Sequence, residues 1–124
     1  MTLVPIKRRY TPAEYYALEH EAEYKSDYYE GEIFNMSGGM ATHSLISVNI
    51  VGELRQRLKG KPCTAYESNL RFKIEDSSLR TYPDASVYCE PLRFDPEDPR
   101  NTTATNPKVV FEVLSPSTEA YDRA

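Results

Sequence analysis

Tyr82-Pro83-Asp84-Ala85-Ser86-Val87-Tyr88 and, further along, Lys108-Val109-Val110-Phe111-Glu112-Val113-Leu114 are the two stretches on which the fold turns. Each is β-branched or aromatic enough to read as a buried strand, and each carries one carboxylate in or beside the run. An acid among Val, Phe and Leu needs a reason, because burying a lone charge is costly unless it is paired, hydrogen-bonded or bound to a cation. Two acids on adjacent strands repel each other unless a divalent ion sits between them. Oxygen ligands of this kind suit Mg²⁺ or Mn²⁺, and metal-assisted hydrolysis of a phosphodiester is the chemistry such a site most naturally serves.

Around these strands the chain has the make-up of one soluble domain. Its 124 residues are 40% hydrophobic and 27% charged, outside the range of disordered segments. No apolar run reaches membrane-spanning length, and the basic start Lys7-Arg8-Arg9 is not followed by a signal-peptide core, so a cytoplasmic protein is expected. Cys63 and Cys89 lack metal-ligand spacing and read as reduced core thiols. Fifteen basic against nineteen acidic residues give a formal charge of −4, which argues against gripping nucleic acid by bulk electrostatics. A nuclease is still compatible with that balance, since metal-binding carboxylates add negative charge and a local basic patch can face phosphates.

Taken in order, residues 1–10 form a leader. Thr11-Pro12-Ala13-Glu14 then supplies a capping box with Pro at the first helical position, predicting a helix from Pro12 to about Glu23 with Tyr15 and Leu18 at helical spacing and a solvated face of Glu19, Glu21 and Glu23. Tyr28 to Phe34 reads as a hairpin turning at Glu30-Gly31. Glu32 is there either an exposed hairpin carboxylate or a further acid near the metal. After the break at Ser37-Gly38-Gly39, Ile46, Ile50, Val51, Leu54 and Leu58 mark one stripe of a helix from about Thr42 to Lys59, with Gly60 at its end. Arg55, Arg57, Lys59 and Lys61 make its last turns basic, either to complement the helix dipole or to face phosphates. His43 in its first turn is a structural histidine, a base or a ligand. Strands follow at Thr64–Glu67 and Leu70–Ile74, the latter with Leu70, Phe72 and Ile74 facing in and Arg71 and Lys73 out. After a turn at 75–78, a strand running through Asp84 pairs back. Residues 93–107, with three prolines, read as a mobile loop, and Ser117 or Thr118 as the cap of a last helix.

With Tyr82 to Val87 and Phe111-Glu112-Val113-Leu114-Ser115-Pro116-Ser117-Thr118 as signatures, the chain resembles the bacterial restriction-endonuclease family often called Uma-two, within the PD-(D/E)XK nuclease superfamily. The likeness runs from Tyr10 to the last residue. It implies an α/β (α+β) restriction-endonuclease-like core, a mixed central sheet flanked by helices with an N-terminal helix and hairpin. Residues 1–124 are then a single domain whose C-terminal helix and last strand continue past Ala124. It also implies a Mg²⁺- or Mn²⁺-dependent endonuclease acting on DNA, with Asp84 and Glu112 as metal ligands and catalytic residues and with Glu32 and His43 as further candidates. Where the superfamily carries a Lys two residues after the Glu, this chain has Leu114; similar members supply the Lys from the following helix. Leu114 and the net acidity motivate a second reading, a non-catalytic module for binding or assembly. A third places Asp84 and Glu112 in buried ion pairs with Arg71 or Lys73. An open sheet edge, or cleavage of both strands of a duplex, would favour a homodimer.

Overall fold

The computed structural model of the protein describes residues 8–36 and 40–114. Helix α1 (Pro12–Glu21) starts as its sequence dictates: the Glu14 N–H donates to the Thr11 hydroxyl at 3.1 Å, and the Thr11 N–H to the Glu14 carboxylate at 2.9 Å. Its buried face is Tyr15 and Tyr16, whereas Leu18 is half exposed. The tyrosines fit because each also finds a polar end-partner: the Tyr15 hydroxyl donates to the Ser26 carbonyl and the Tyr16 hydroxyl to Asp95, both at 2.6 Å. Nor is Glu19 on a solvated face, since it accepts the Ser26 N–H at 2.9 Å and the Tyr82 hydroxyl.

Strands β1 (Ser26–Tyr29) and β2 (Glu32–Asn35) form the expected hairpin. Glu30 and Gly31 have φ of 48° and 84°, the paired left-handed geometry whose twist matches the flanking strands. Helix α2 (Ala41–Arg57) follows, then β3 (Thr64–Glu67), β4 (Arg71–Lys73), β5 (Arg80–Thr81), β6 (Ala85–Tyr88), β7 (Thr103–Ala104) and β8 (Val109–Phe111).

Two sheets result. Five strands run in the order β2-β1-β5-β4-β7, mixed because β4 pairs parallel with β7, and three run antiparallel as β3-β6-β8. The two are joined by one long hairpin, in which β3 pairs with β6 and β4 with β5. Between the pairs Glu67↔Ala85 and Phe72↔Thr81, residues 68–71 on one strand face residues 82–84 on the other. One strand thus carries an extra residue, and the ladder breaks at Tyr82-Pro83-Asp84. Pro83 has no N–H to continue it, so the single strand expected through Asp84 is two strands in two sheets.

The core lies mainly under α1, where Tyr15, Tyr16 and Tyr28 pack together with Tyr10 and Ile33 against them. Helix α2 covers the three-stranded sheet, packing on β3 and β6, yet none of its described residues is fully buried. Ile50, Val51, Leu54 and Leu58 of the expected stripe are half-buried, while Ile46 is exposed.

Three further expectations are corrected. Arg71 does not face solvent: its guanidinium lies over the rings of Tyr15, Tyr16 and Tyr82, donates to the Tyr82 hydroxyl at 3.1 Å and sits 4.0 Å from Asp98, while Ile74 is exposed. The expected mobile loop at 93–107 is packed structure containing β7, a bridge between Phe94 and Ala104, and the buried Asp95 and Asp98. Finally, Cys63 and Cys89 form a disulfide. The β3–β6 register explains it, because the position after Thr64↔Tyr88 sets Cys63 opposite Cys89 although 26 residues separate them in sequence. The expected leader before Arg8, the Gly38-Gly39 break and the last helix lie outside the described residues.

Candidate functional site

Asp84 sits in the break of the long hairpin, one residue before β6, and Glu112 one residue after β8. The β6–β8 ladder ends at Ala85↔Phe111, and the next step of that antiparallel register sets Asp84 opposite Glu112. Residues paired across an antiparallel ladder have Cβ atoms roughly 4.5–5.5 Å apart, and Asp84 and Glu112 stand one step past the last such pair. Two acids 28 residues apart in sequence are therefore facing backbone positions because Pro83 and the end of β8 stop both strands at the same level.

The Asp84 carboxylate is oriented from two sides. The Val113 N–H donates to its Oδ2 at 2.6 Å, and His43 Nε2 lies 3.4 Å from the same oxygen. Both side chains are largely enclosed, with 13% of Asp84 and 21% of His43 exposed, whereas Glu112 is exposed. His43 reaches the carboxylate because it lies in the first turn of α2, on the side of the helix that packs against β6.

The structure thus brings together Asp84, His43 and the backbone position of Glu112. Glu32 is elsewhere, on the outer strand β2 of the five-stranded sheet, opposite Tyr29. Asp84 does not pair with Arg71 or Lys73: Arg71 serves the tyrosine cluster and Asp98, and the Lys73 amine donates to the Ile74 carbonyl. Among the described residues no three His, Cys, Asp or Glu side chains converge as a ready-made cation cage. Mg²⁺ in general needs no such cage, since it keeps several waters and takes one or two carboxylates plus substrate phosphate.

A buried cluster on β5, four residues before Asp84, is not legible in the sequence. Arg80, with 2% of its side chain exposed, donates to Asp95 and Glu97, both at 3.0 Å, and to the Tyr16 hydroxyl at 3.1 Å. Burial raises the Tyr16 hydroxyl to a pKa of about 12, with the Asp95 carboxylate adding to it. Burial also pushes Asp95 up, but the Tyr16 hydroxyl, the Glu97 N–H and Arg80 outweigh it and hold its pKa below the ordinary value. Asp98 is likewise depressed against its burial, by the N–H groups of Arg100 and Thr102. The available signal was Asp95-Pro96-Glu97-Asp98-Pro99, whose aspartates each accept the N–H two residues on, as Asx-turns do. These turns bring Asp95 to Arg80 on β5 and Asp98 toward Arg71 on β4.

Comparison with known proteins agrees with the fold. The uncharacterized protein slr1290 of Synechocystis sp. is 41% identical over 114 residues, covering 91% of this chain and 57% of that protein. A second uncharacterized Synechocystis protein, sll1609, is 31% identical over 123 residues, covering 99% of this chain and 68% of its own length. The chain therefore spans little more than half of the first of these relatives. A crystal structure from Anabaena variabilis, titled as "a putative nuclease belonging to DUF820", superposes with a TM-score of 0.68 at 26% identity, over 96% of this chain and 64% of that one. The no-membrane expectation stands in this form: no described helix is long and apolar enough to cross a bilayer. Residues 12–124 match the family model Uma2, described as "Putative restriction endonuclease", and the chain belongs to that family.

Proposed function

We propose that the chain carries the metal-binding part of a DNA endonuclease site, with Asp84 and Glu112 holding Mg²⁺ or Mn²⁺. The observation that carries this is the facing register of the two acids, with the Asp84 carboxylate fixed by the Val113 N–H and His43 beside it. The family description and the nuclease title of the Anabaena structure support the substrate class. A divalent cation bound there supplies Lewis-acid polarisation of the phosphodiester and a water more acidic than bulk. The chain's own residues do the rest. Val113 keeps one carboxylate oxygen of Asp84 occupied and so sets the direction of the other. Glu112 stands exposed on the facing position. His43 stands beside the enclosed carboxylate, its Nε2 3.4 Å from Oδ2.

Nicking of supercoiled plasmid in Mg²⁺ or Mn²⁺, with calorimetric titration of Mn²⁺, tests this. The conservative variants Asp84→Asn and Glu112→Gln should each lower nicking by about 10²-fold or more and weaken Mn²⁺ binding, since each removes a ligand charge. Undiminished nicking in both variants removes these residues from the site. Glu32→Gln, on the far sheet edge, should cut at the wild-type rate.

A further inference from the structure

We infer that the C-terminal end of α2 is a second contact with the same DNA, a phosphate-binding groove lined by Arg55, Gln56 and Lys59, with Lys61 two residues further along the chain. The inference rests on the nuclease reading and adds where the duplex lies. Arg55, Gln56 and Lys59 line one wall of an open groove of about 420 Å³, whose opposite wall is Cys63, Thr64 and Ala65 at the start of β3. Gly52 lies in the same wall one turn earlier and exposes backbone without a side chain in the way.

Clustered charge is what singles this groove out: Arg100 and Lys108 likewise have no ion pair or side-chain hydrogen bond among the described residues, but each stands singly in the sequence, whereas three such cations gather at the end of α2. In a chain of net charge −4, Arg8, Arg57, Arg71, Arg80 and Arg93 are each within ion-pair distance of an acid. Arg55, Lys59 and Lys61 are exposed, and among the described residues their side chains have neither an ion pair nor a hydrogen bond. The one acid of this part of the helix, Glu53, is held by Arg57 at 2.7 Å and does not line the groove. The helix C-terminus carries about half a unit of negative charge, which three full positive charges outweigh. A cation cluster at a helix end needs at most part of that charge to complement the dipole, and the remainder is available to an anion.

The spacing suits a duplex. His43 marks the end of α2 at the candidate site, and Arg55 is twelve residues further on. At 1.5 Å per residue that is about 18 Å along the helix, or about five base pairs at 3.4 Å per step of each strand. A duplex whose axis runs along α2 would then meet the groove with its backbone about half a helical turn from the phosphate at Asp84.

The test is binding of a 30-base-pair duplex, followed by fluorescence anisotropy in EDTA between 50 and 200 mM salt, so that cleavage does not enter. Each phosphate contact contributes about 0.9 to the slope of log affinity against log salt. The double variant Arg55→Gln/Lys59→Gln should therefore flatten the slope by about 1.8, making the loss of affinity over that salt range about tenfold smaller than in wild type. Arg93→Gln/Arg100→Gln, which removes the same charge from the 93–107 segment, should leave the slope within error of wild type. Equal slopes for the α2 variant and wild type, or an equal change in both variants, overturn the inference while leaving the nuclease reading intact. A wild-type chain that does not bind duplex at 50 mM salt overturns both. Under plasmid cleavage the α2 variant should raise KM and keep kcat, which a loss of the metal site would not do.

Discussion

At the scale of single residues, burial decides which charges matter. Arg80 and Asp95 are almost fully enclosed and satisfy each other and Tyr16, so removing Asp95 leaves the buried Tyr16 hydroxyl without its acceptor and Arg80 with only the half-exposed Glu97 as counter-charge. Asp95→Ala should cost about 3–5 kcal/mol in urea denaturation. Arg57→Ala, whose side chain is 75% exposed and pairs with Glu53 one turn away, should change stability by about 0.3–0.5 kcal/mol. Comparable losses in the two variants would contradict the burial of the Arg80 cluster. The same reasoning explains why Arg71 could not be read from alternation alone. A strand pattern assigns alternate residues to solvent, but three tyrosine rings, a hydroxyl and Asp98 give this arginine a better-satisfied place inside.

At the scale of elements, the two hairpins were legible and their interruptions were not. Glu30-Gly31 is a two-residue turn that needs positive φ at both positions, and the sequence offers glycine at one of them. Gly31→Ala should destabilise by about 1–2 kcal/mol, from the left-handed backbone and from a Cβ that would lie 3.1 Å from Arg9 Cβ. Glu30→Asn should instead raise stability by several tenths of a kcal/mol, because Asn tolerates that conformation better; thermal melts of the two variants should move in opposite directions. In the longer hairpin, register does what composition hid. It sets Cys63 against Cys89, and closing a loop of this length stabilises by about 3.5 kcal/mol on the chain-entropy account. Denatured protein should show no free thiol on titration until reductant is added, and reduction should lower the melting temperature. Two titratable thiols before reduction would restore the reduced-cysteine expectation.

For the molecule as a whole, acid and base should loosen it through the same polar cluster. Asp95 and Asp98 titrate below the ordinary aspartate value of 3.8, so their stabilisation is fully present above it and is lost as pH falls through their lower folded values. Burial, aided by Glu19, raises the Tyr82 hydroxyl to a pKa of about 12, and the neutral phenol stabilises the fold below pH 10 and ceases to do so as pH rises to about 12. Melts across pH should fall off in both windows, and Asp95→Asn should remove part of the acid limb. The sequence by itself determined the capped first helix, the two hairpins, the amphipathic second helix and the two apolar strands that end beside the acids, because each is written in local spacing: a capping box, a glycine at a turn, apolar residues at the period of a helix or a strand. Only the tertiary structure decided that the chain changes sheets at Pro83, that Asp84 faces Glu112 beside His43, and that Asp95 and Asp98 turn inward to meet Arg80 and Arg71. Those outcomes depend on register and on which polar groups find each other across many residues of chain, and neither is encoded in the order of neighbours.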